Sequence, residues 1–259
     1  QSGRRRGDEW PEELRFRERR LEKIRQAKEA LEAEARAEAQ RLREEKKAKA
    51  HSRGEEAGGT ETAPSEAVEP EKVVKPAEKA QRNFTDPDSR IMRDGATKSF
   101  EQSYNCQAVV DSEAQVIVAA QVTQQANDKR QVKPLVEEMK ANLGGCAPAE
   151  LSADAGYFSE DNLGYLEDER IDAYVATGRQ KRGAALREPP EPVPEPVTPR
   201  EKMAAKLQTA RGKEVYSKRK ETVEPVFGQI KEARGLRRFL LRGMSSVQAE
   251  WNLICTTHN

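Results

Sequence analysis

The sequence has few of the residues on which metal centres and hydrolytic triads commonly depend. It contains three cysteines, Cys106, Cys146 and Cys255, and only two histidines, His51 and His258. Because the cysteines are far apart and odd in number, they exclude a disulfide framework and disfavour a zinc site. With so little histidine, any catalysis must depend on carboxylates.

Long apolar runs are also absent. No stretch approaches the roughly 18 consecutive apolar residues of a membrane span, and the N-terminus lacks the basic-then-apolar pattern of a secretory signal. We therefore expect a soluble, cytoplasmic protein with no membrane partner. Because the chain starts at Gln1 and stops at Asn259 within a helical pattern, the sequence also indicates a fragment.

The charges are unevenly distributed along the chain. Although the whole sequence has a net charge of +1, residues 81–178 carry 9 basic and 17 acidic side chains, whereas residues 179–259 carry 17 basic and 9 acidic ones. An acidic centre beside a basic flank is typical of metal-dependent enzymes that act on polyanions. Chance unevenness among solvated surface charges is an equally open explanation.

Composition divides the chain into three parts. Residues 1–50 form a helical segment, in which residues 11–50 contain the Ala, Glu, Arg, Lys and Leu of one long helix. Its apolar stripe is thin, so a solvated helix and a coiled-coil helix both remain open. Residues 51–82 have the composition of a disordered linker. Residues 83–259 form the third part, interrupted by a proline-rich loop at 179–200.

The third part alternates strands and helices. Residues 104–111 and 115–123 predict a hairpin, and apolar spacing from Val132 to Met139 predicts a helix that stops at Gly144.

Further elements follow in the same order. Residues 150–154 predict a strand, Ser159 is expected to cap a helix, and residues 171–177 predict another strand. Later helices are expected near Pro199, over residues 215–234 and from Ser245. The β-β-α-β-α-β order predicts an α/β fold, with helices flanking a mixed sheet.

Two acids stand where chemistry is expected. Asp154 directly follows a strand, so its carboxylate is expected at the sheet edge where α/β proteins bind ligands, which suits a metal ligand. Glu224 lies on a basic helix after Arg219 and Lys220, beside Pro225, which favours a helix start or a kink there. A turn hydrogen bond for Asp154 and an intrahelical ion pair for Glu224 remain open alternatives.

Residues 83–259 resemble the DDE transposases of bacterial insertion sequences. The matching segments are NFTDPDSRIM, SYNCQAVVD followed by QVIVA, ADAGYFS, VEPVFGQIKEARGLRRFLLRG and EWNLICTTHN. Several motifs in the right order are more specific than any single acid. The resemblance implies a catalytic domain with a ribonuclease H-like mixed sheet, and DNA transposition by metal-dependent strand cleavage and transfer. The helical N-terminal segment resembles an insertion that such enzymes carry.

The resemblance also implies roles for individual residues. Asp154 and Glu224 correspond to the second and third catalytic carboxylates, which would bind Mg²⁺ or Mn²⁺. The residues expected to hold DNA are Arg219, Lys220, Lys231, Arg234, Arg237, Arg238 and Arg242. The family's first catalytic aspartate has no counterpart here, since Asp86, Asp88 and Asp111 are better explained as turn and strand-end residues. We therefore expect a truncated copy that does not cut DNA by itself.

The implied partners are the DNA of the element ends and of the target, and further copies of the chain in an active homo-oligomer. A nucleoid-associated location follows from that chemistry, and no small-molecule substrate is expected. One alternative is a non-catalytic DNA-binding remnant or regulator of an insertion element. Another is a coiled-coil interaction protein, which depends on residues 11–50 alone.

Overall fold

The protein is described by a computed structural model. The described residues are 16–56, 75–78, 80–95, 97–178 and 198–259. Predictions for linker residues 57–74 and for residues 179–197 of the proline-rich loop therefore lie outside the described residues. The chain divides into two compact units, Gln1–Pro87 and Asp88–Asn259.

The first unit contains one long helix, α1, which spans Arg17–Glu56. Much of its surface is exposed, including the side chain of Leu21, and it carries intrahelical ion pairs such as Lys28–Glu32. Because exposure within a single chain does not test pairing with another copy, the solvated helix and the coiled-coil helix both stay predictions. The helix continues past the predicted end at residue 50, because helix propensity alone does not determine where a helix ends.

In the second unit, the described strands form three separate two-stranded sheets. The antiparallel pairs are β1 (Arg90–Arg93) with β2 (Phe100–Ser103) and β3 (Asn105–Val110) with β4 (Ile117–Thr123), and the parallel pair is β5 (Glu150–Ala153) with β6 (Asp172–Val175). The β3–β4 hairpin and the two later strands agree with the sequence-based expectation. The β1–β2 hairpin is an addition, and Asp94 forms its turn by accepting a hydrogen bond from the Thr97 N–H at 2.7 Å.

The three sheets differ from the single mixed sheet that the sequence predicts. Among the described residues, β3 pairs only with β4 and β5 pairs only with β6. Both antiparallel and parallel pairing are present, as a mixed sheet requires, but no described strand joins the two pairs. The described fold is α/β, with small sheets and flanking helices.

Five α-helices lie in the described part of the second unit. They are α2 (Val132–Asn142), α3 (Glu160–Asp168), α4 (Pro199–Gln208), α5 (Ala210–Gly228) and α6 (Met244–His258). A 3₁₀ turn at Ala155–Tyr157 follows β5, and a π-helical turn at Gln229–Ala233 follows α5. The Ser159 side chain caps α3 as expected, by accepting the N–H of Asn162.

The start of α4 shortens the predicted proline-rich loop. Thr198 and Glu201 form a capping box, and Pro199 occupies the first turn, where proline is tolerated because its missing N–H would have no helical partner. The helix therefore begins at Pro199, as the sequence predicts, and the loop predicted over residues 179–200 overlaps its first two residues.

The predicted cap of α6 is wrong. The helix begins at Met244 rather than after Ser245, and the N–H of Met244 donates to Asp88 Oδ2 at 2.9 Å. Gly243 precedes the helix with a φ of +82°, a conformation that suits glycine. Asp88 is thus more than a turn residue, because its carboxylate satisfies an N–H at the start of a distant helix.

Helix α5 continues through Glu224 and Pro225, so the predicted helix start at Glu224 is wrong, and the alternative of a kink there stays a prediction. A proline inside a helix leaves the carbonyl four residues earlier without its usual donor. Here that carbonyl belongs to Glu221, and the side-chain amide of Gln115 donates to it at 2.9 Å. A contact from the β3–β4 turn therefore compensates for the missing N–H.

The buried residues form two apolar clusters. One includes Val136, Leu166 and Val175 from α2, α3 and β6. The other includes Val226 and Trp251, where α5 and α6 meet the β3–β4 hairpin. This packing fixes the positions of β3, β5 and α5 around the candidate site.

Candidate active site at the end of β5

A cleft of about 1320 Å³ is bordered by β3, β5, α2 and α5. Helix α2 contributes apolar side chains to its lining, including Leu135 and Val136, whereas α5 contributes both apolar and basic ones, including Val215 and Arg219. Asp154 also lines this cleft. The cleft therefore combines an apolar interior with a carboxylate at the end of a strand.

Asp154 directly follows β5, as the sequence predicts. Its side chain is exposed, and its Oδ1 accepts the N–H of Gly156 at 2.8 Å, which caps the 3₁₀ turn. The two interpretations from the sequence are therefore compatible, because one oxygen serves the turn and the carboxylate still faces the cleft. Carboxylate oxygens are the ligands that hard divalent cations prefer.

A second carboxylate, Asp128, lies beside Asp154. A Cβ atom placed on Gly156 would be 2.8 Å from Asp128 Oδ2 and 3.0 Å from Asp154 Oδ1. Both carboxylates therefore border the same glycine. Asp128 has no distinctive signal in the sequence, because an Asn-Asp pair before a helix is explained by turn formation.

A network of buried amides holds Asp128. Gln107, which is 2% exposed, donates from Nε2 to Asp128 Oδ1 at 2.7 Å, and Asn105 donates to the same oxygen at 2.7 Å. The hydroxyl of Tyr157 donates to the side-chain amide oxygen Oε1 of Gln107. These bonds occupy Oδ1 and leave Oδ2 of Asp128 on the side of Gly156.

Tyr157 lies among the charges of the site. Burial raises the pKa of its hydroxyl well above the usual range, and the negative charges of Asp128 and Asp154 raise the pKa further, against a lowering by Arg219. The hydroxyl therefore stays protonated and remains a hydrogen-bond donor. Its role in the described site is to hold Gln107.

Arg219 contributes positive charge to the cleft, which Arg211 and Lys218 also line. It is half-buried, its Nε atom has no hydrogen-bond partner among the described residues, and its guanidinium lies 5.3 Å from the centre of the Tyr216 ring. A buried guanidinium N–H without a partner is costly, so this position favours an incoming anionic group.

Glu224 is exposed on α5 and is not among the residues that line the cleft. In the part of the chain that the structure describes, no group of three or more His, Cys, Asp or Glu side chains is close enough to hold a metal ion. Asp154 and Asp128 supply the right type of ligand, but the described residues do not assemble a three-acid site. A metal shared by Asp154 and Glu224 stays a prediction.

The predicted DNA-binding residues on α5 and just after it differ in their contacts. Lys220 is exposed, Lys231 lies with its Nζ 5.6 Å from the centre of the Phe227 ring, and Arg234 donates to the Thr257 hydroxyl at 3.0 Å. All three basic side chains therefore reach the surface, as a DNA-binding role requires.

The next basic residues lie in the loop before α6. Arg237 pairs with Glu232, whereas Arg238 and Arg242 are exposed and form no ion pair with any described residue. Their unneutralised charge is available to a polyanion.

Together these features define an α/β domain that presents Asp154 at a strand end, with Arg219 in the same cleft and further basic side chains exposed elsewhere. A family model described as the transposase DDE domain matches residues 76–259, and the chain therefore belongs to the DDE transposase family. Membership associates the protein with DNA transposition. Searches of curated proteins and of solved structures each found no match. Among the described helices, none is long and apolar enough to cross a membrane.

Proposed function

We propose that residues 83–259 are the catalytic domain of an insertion-sequence transposase, which cleaves and joins DNA strands in a metal-dependent reaction. The observation that carries this proposal is the DDE-domain match over residues 76–259, together with Asp154 at the end of β5. The active form would be a homo-oligomer that acts on element ends and target DNA at the nucleoid.

The strand order supports a ribonuclease H-like fold. An antiparallel β3–β4 hairpin is followed by the parallel β5–α3–β6 unit, and the cleft separates β3 from β5. One further strand in that cleft, hydrogen-bonded to β3 and β5, would join the two pairs into a single mixed sheet. Helices α2 and α5 would then cover its two faces.

Asp154 and Glu224 are the proposed ligands of Mg²⁺ or Mn²⁺, with Asp128 beside Asp154. When bound, such cations supply the activation of an attacking hydroxyl and the stabilisation of the departing oxygen. The chain's own contribution is to fix the acids through Gln107 and Tyr157, and to present Arg219 to the phosphate. Because the described residues assemble no three-acid cluster, we expect weak metal binding and no DNA cleavage by this chain alone.

DNA affinity tests the binding part of the proposal. Fluorescence anisotropy with a labelled duplex should show binding that weakens steeply with salt, and Arg238→Ala should lower the salt slope by about one. Lys133→Ala, which removes an exposed cation from α2, is the matched control and should change neither value. No binding at low salt would overturn the proposed function.

A second candidate is a non-catalytic DNA-binding regulator, which the lack of a three-acid cluster among the described residues favours. Nicking of supercoiled DNA separates the two candidates. Mg²⁺-dependent nicking that disappears in Asp154→Ala would establish the enzyme and refute the expected inactivity of this chain. Tight DNA binding with no nicking in Mg²⁺ or Mn²⁺ would support the regulator.

A further inference from the structure

The loop between the π-helical turn and α6 combines positive charge with exposed leucines. We call residues 234–243 the arginine–leucine loop. It contains four arginines and no acid. Leu240 is 86% exposed and Leu241 is 50% exposed, so the loop presents apolar surface to solvent within a cationic setting.

The tip of the arginine–leucine loop is fixed by hydrogen bonds. The carboxylate of Glu250, on α6, accepts the backbone N–H of Leu240 at 2.9 Å and that of Leu241 at 2.8 Å. These bonds hold the backbone at the tip while both side chains point away from the core. The exposure of Leu240 is therefore part of an ordered structure.

The rest of the loop is anchored in the core. Phe239 packs edge-on against Tyr104 with ring centres 6.4 Å apart, and Leu236 packs against the same apolar cluster. Gly235 and Gly243 have φ values of +68° and +82°, which let the chain turn at both ends of the loop. Leu236 and Phe239 thus anchor the loop, whereas the adjacent Leu240 and Leu241 are exposed, Leu240 the more so.

We propose that Leu240 acts as a wedge that inserts between adjacent base pairs of bound duplex DNA, while Arg238 and Arg242 hold the flanking phosphates. The positive charge of the loop favours a polyanionic partner. The apolar tip favours a partner that also offers an apolar surface, and in duplex DNA that surface is the stacked faces of the bases. Proteins that bend DNA insert leucine and similar side chains at such steps. This inference deepens the proposed function and depends on DNA binding by the chain.

The test uses the full chain and a short duplex with repeated thymine–adenine steps, which unstack easily, carrying fluorescent aminopurine in place of adenine. Binding of the unmodified chain should raise aminopurine fluorescence, because the analogue brightens when it is unstacked. Leu240→Ala should abolish the rise and weaken binding by roughly threefold to tenfold, and Leu240→Met should retain the rise.

Leu253→Ala is the matched control, because Leu253 is also an exposed leucine, at 64%, but lies on α6. It should leave both fluorescence and affinity unchanged. If the unmodified chain and Leu240→Ala bind equally and give equal fluorescence, the wedge is overturned while DNA binding stands. If Leu240→Ala instead alters the sedimentation of the chain without DNA, the loop is a contact between copies and the wedge is again overturned. Failure of the unmodified chain to bind any duplex would refute the proposed function itself.

Discussion

At the scale of single residues, the site depends on how closely side chains surround Gly156. The absence of a side chain there lets Asp128 and Asp154 approach from two sides. Two neighbouring carboxylates repel each other, and hydrogen bonds to their oxygens offset this repulsion. Asp128 accepts hydrogen bonds from two side-chain amides, and Asp154 accepts one from a backbone N–H of the turn. The site therefore depends both on a backbone group close in sequence and on side chains distant in sequence.

Gly156→Ala should disturb this pair. The new Cβ would stand 2.8 Å from Asp128 Oδ2, so this carboxylate must shift against the two amides that hold it, and we expect a loss of about 1 kcal/mol in the free energy of unfolding. Mn²⁺ affinity, followed by its electron spin resonance signal, should fall as well. Gly164→Ala is the control, because no atom lies within 4 Å of its added Cβ. Equal stability and equal Mn²⁺ binding in both variants would contradict the placement of Asp128.

Asp172 should make a small, pH-dependent contribution to stability. Its hydrogen bonds with Lys206 and with the Tyr174 hydroxyl lower the pKa of its carboxyl group. A lowered pKa in the folded state stabilises the protein above the ordinary carboxyl pKa of about 4, and this stabilisation disappears as the pH falls through the folded value. The side chain is 50% exposed, so we expect about 0.5 kcal/mol after allowance for solvent screening.

Urea unfolding at a series of acidic pH values measures this contribution. Asp172→Asn should remove part of the loss of stability that accompanies acidification, whereas Asp168→Asn, at an exposed carboxylate of α3, should leave it unchanged. Identical pH profiles for the original chain and Asp172→Asn would show that the ion pair is not formed in solution.

At the scale of elements, helices α4 and α5 meet closely at Gly212. Among the described glycines, an added Cβ would come nearest to other atoms at this residue. A Cβ on Gly212 would lie 2.1 Å from the Lys206 carbonyl oxygen and 2.8 Å from Leu207 Cα. Both neighbours are backbone atoms, which cannot rotate away. The turn at Thr209 can therefore bring the helices together only around a residue without a side chain.

Gly212→Ala should consequently destabilise the protein strongly, by about 3 kcal/mol or more, because the helices must separate. Gly228→Ala lies in the same helix with no atom within 4 Å of the added Cβ, and should be neutral or stabilise by up to about 1 kcal/mol through helix propensity. Thermal unfolding followed by circular dichroism compares the two variants. A Gly212→Ala protein as stable as Gly228→Ala would refute the close approach of the helices.

Helix α6 shows how an element can protect a strand. Gln248 donates to the carbonyl oxygen of Ala120 in β4 and accepts the N–H of Val122. Asn259, directly after the helix, donates to the carbonyl oxygen of Ile117 and accepts its N–H. These bonds satisfy strand groups that would otherwise be open to pairing. Strand β3 also receives a bond from α6, since Trp251 Nε1 donates to the backbone oxygen of Gln107 at 3.1 Å.

At the scale of the whole molecule, the three thiols report on its packing. Burial raises the pKa of Cys106 and of Cys255 to about 12, whereas Cys146 is exposed. Since thiolates are the reactive form, a thiol reagent at mildly alkaline pH should modify Cys146 rapidly and the other two slowly. All three should react at once in denaturant. Rapid reaction of three thiols in the native protein would mean that the core around β3 and α6 is open.

The sequence predicts the local elements well where their signal is short-range. Three features each depend on residues within a few positions of one another: the hairpin at residues 104–123, the end of α2 at Asn142 just before the predicted stop at Gly144, and the Ser159 cap. The location of Asp154 at a strand end follows from the same local pattern. Local patterns do not predict three other features, because each depends on a group from elsewhere in the chain. These features are the start of α6, the continuation of α5 through Pro225 and the role of Asp128.

The sequence by itself therefore determined the types and order of most elements, the regional charge and the family to which the motifs point. The tertiary structure alone decided that Asp128 stands beside Asp154, that Asp88 caps a helix 156 residues away, and that Gln115 satisfies a carbonyl 106 residues away. The physical reason is the separation along the chain over which each interaction acts. Propensity and capping act between neighbours along the chain, whereas a buried hydrogen bond is formed wherever packing brings a donor to an acceptor.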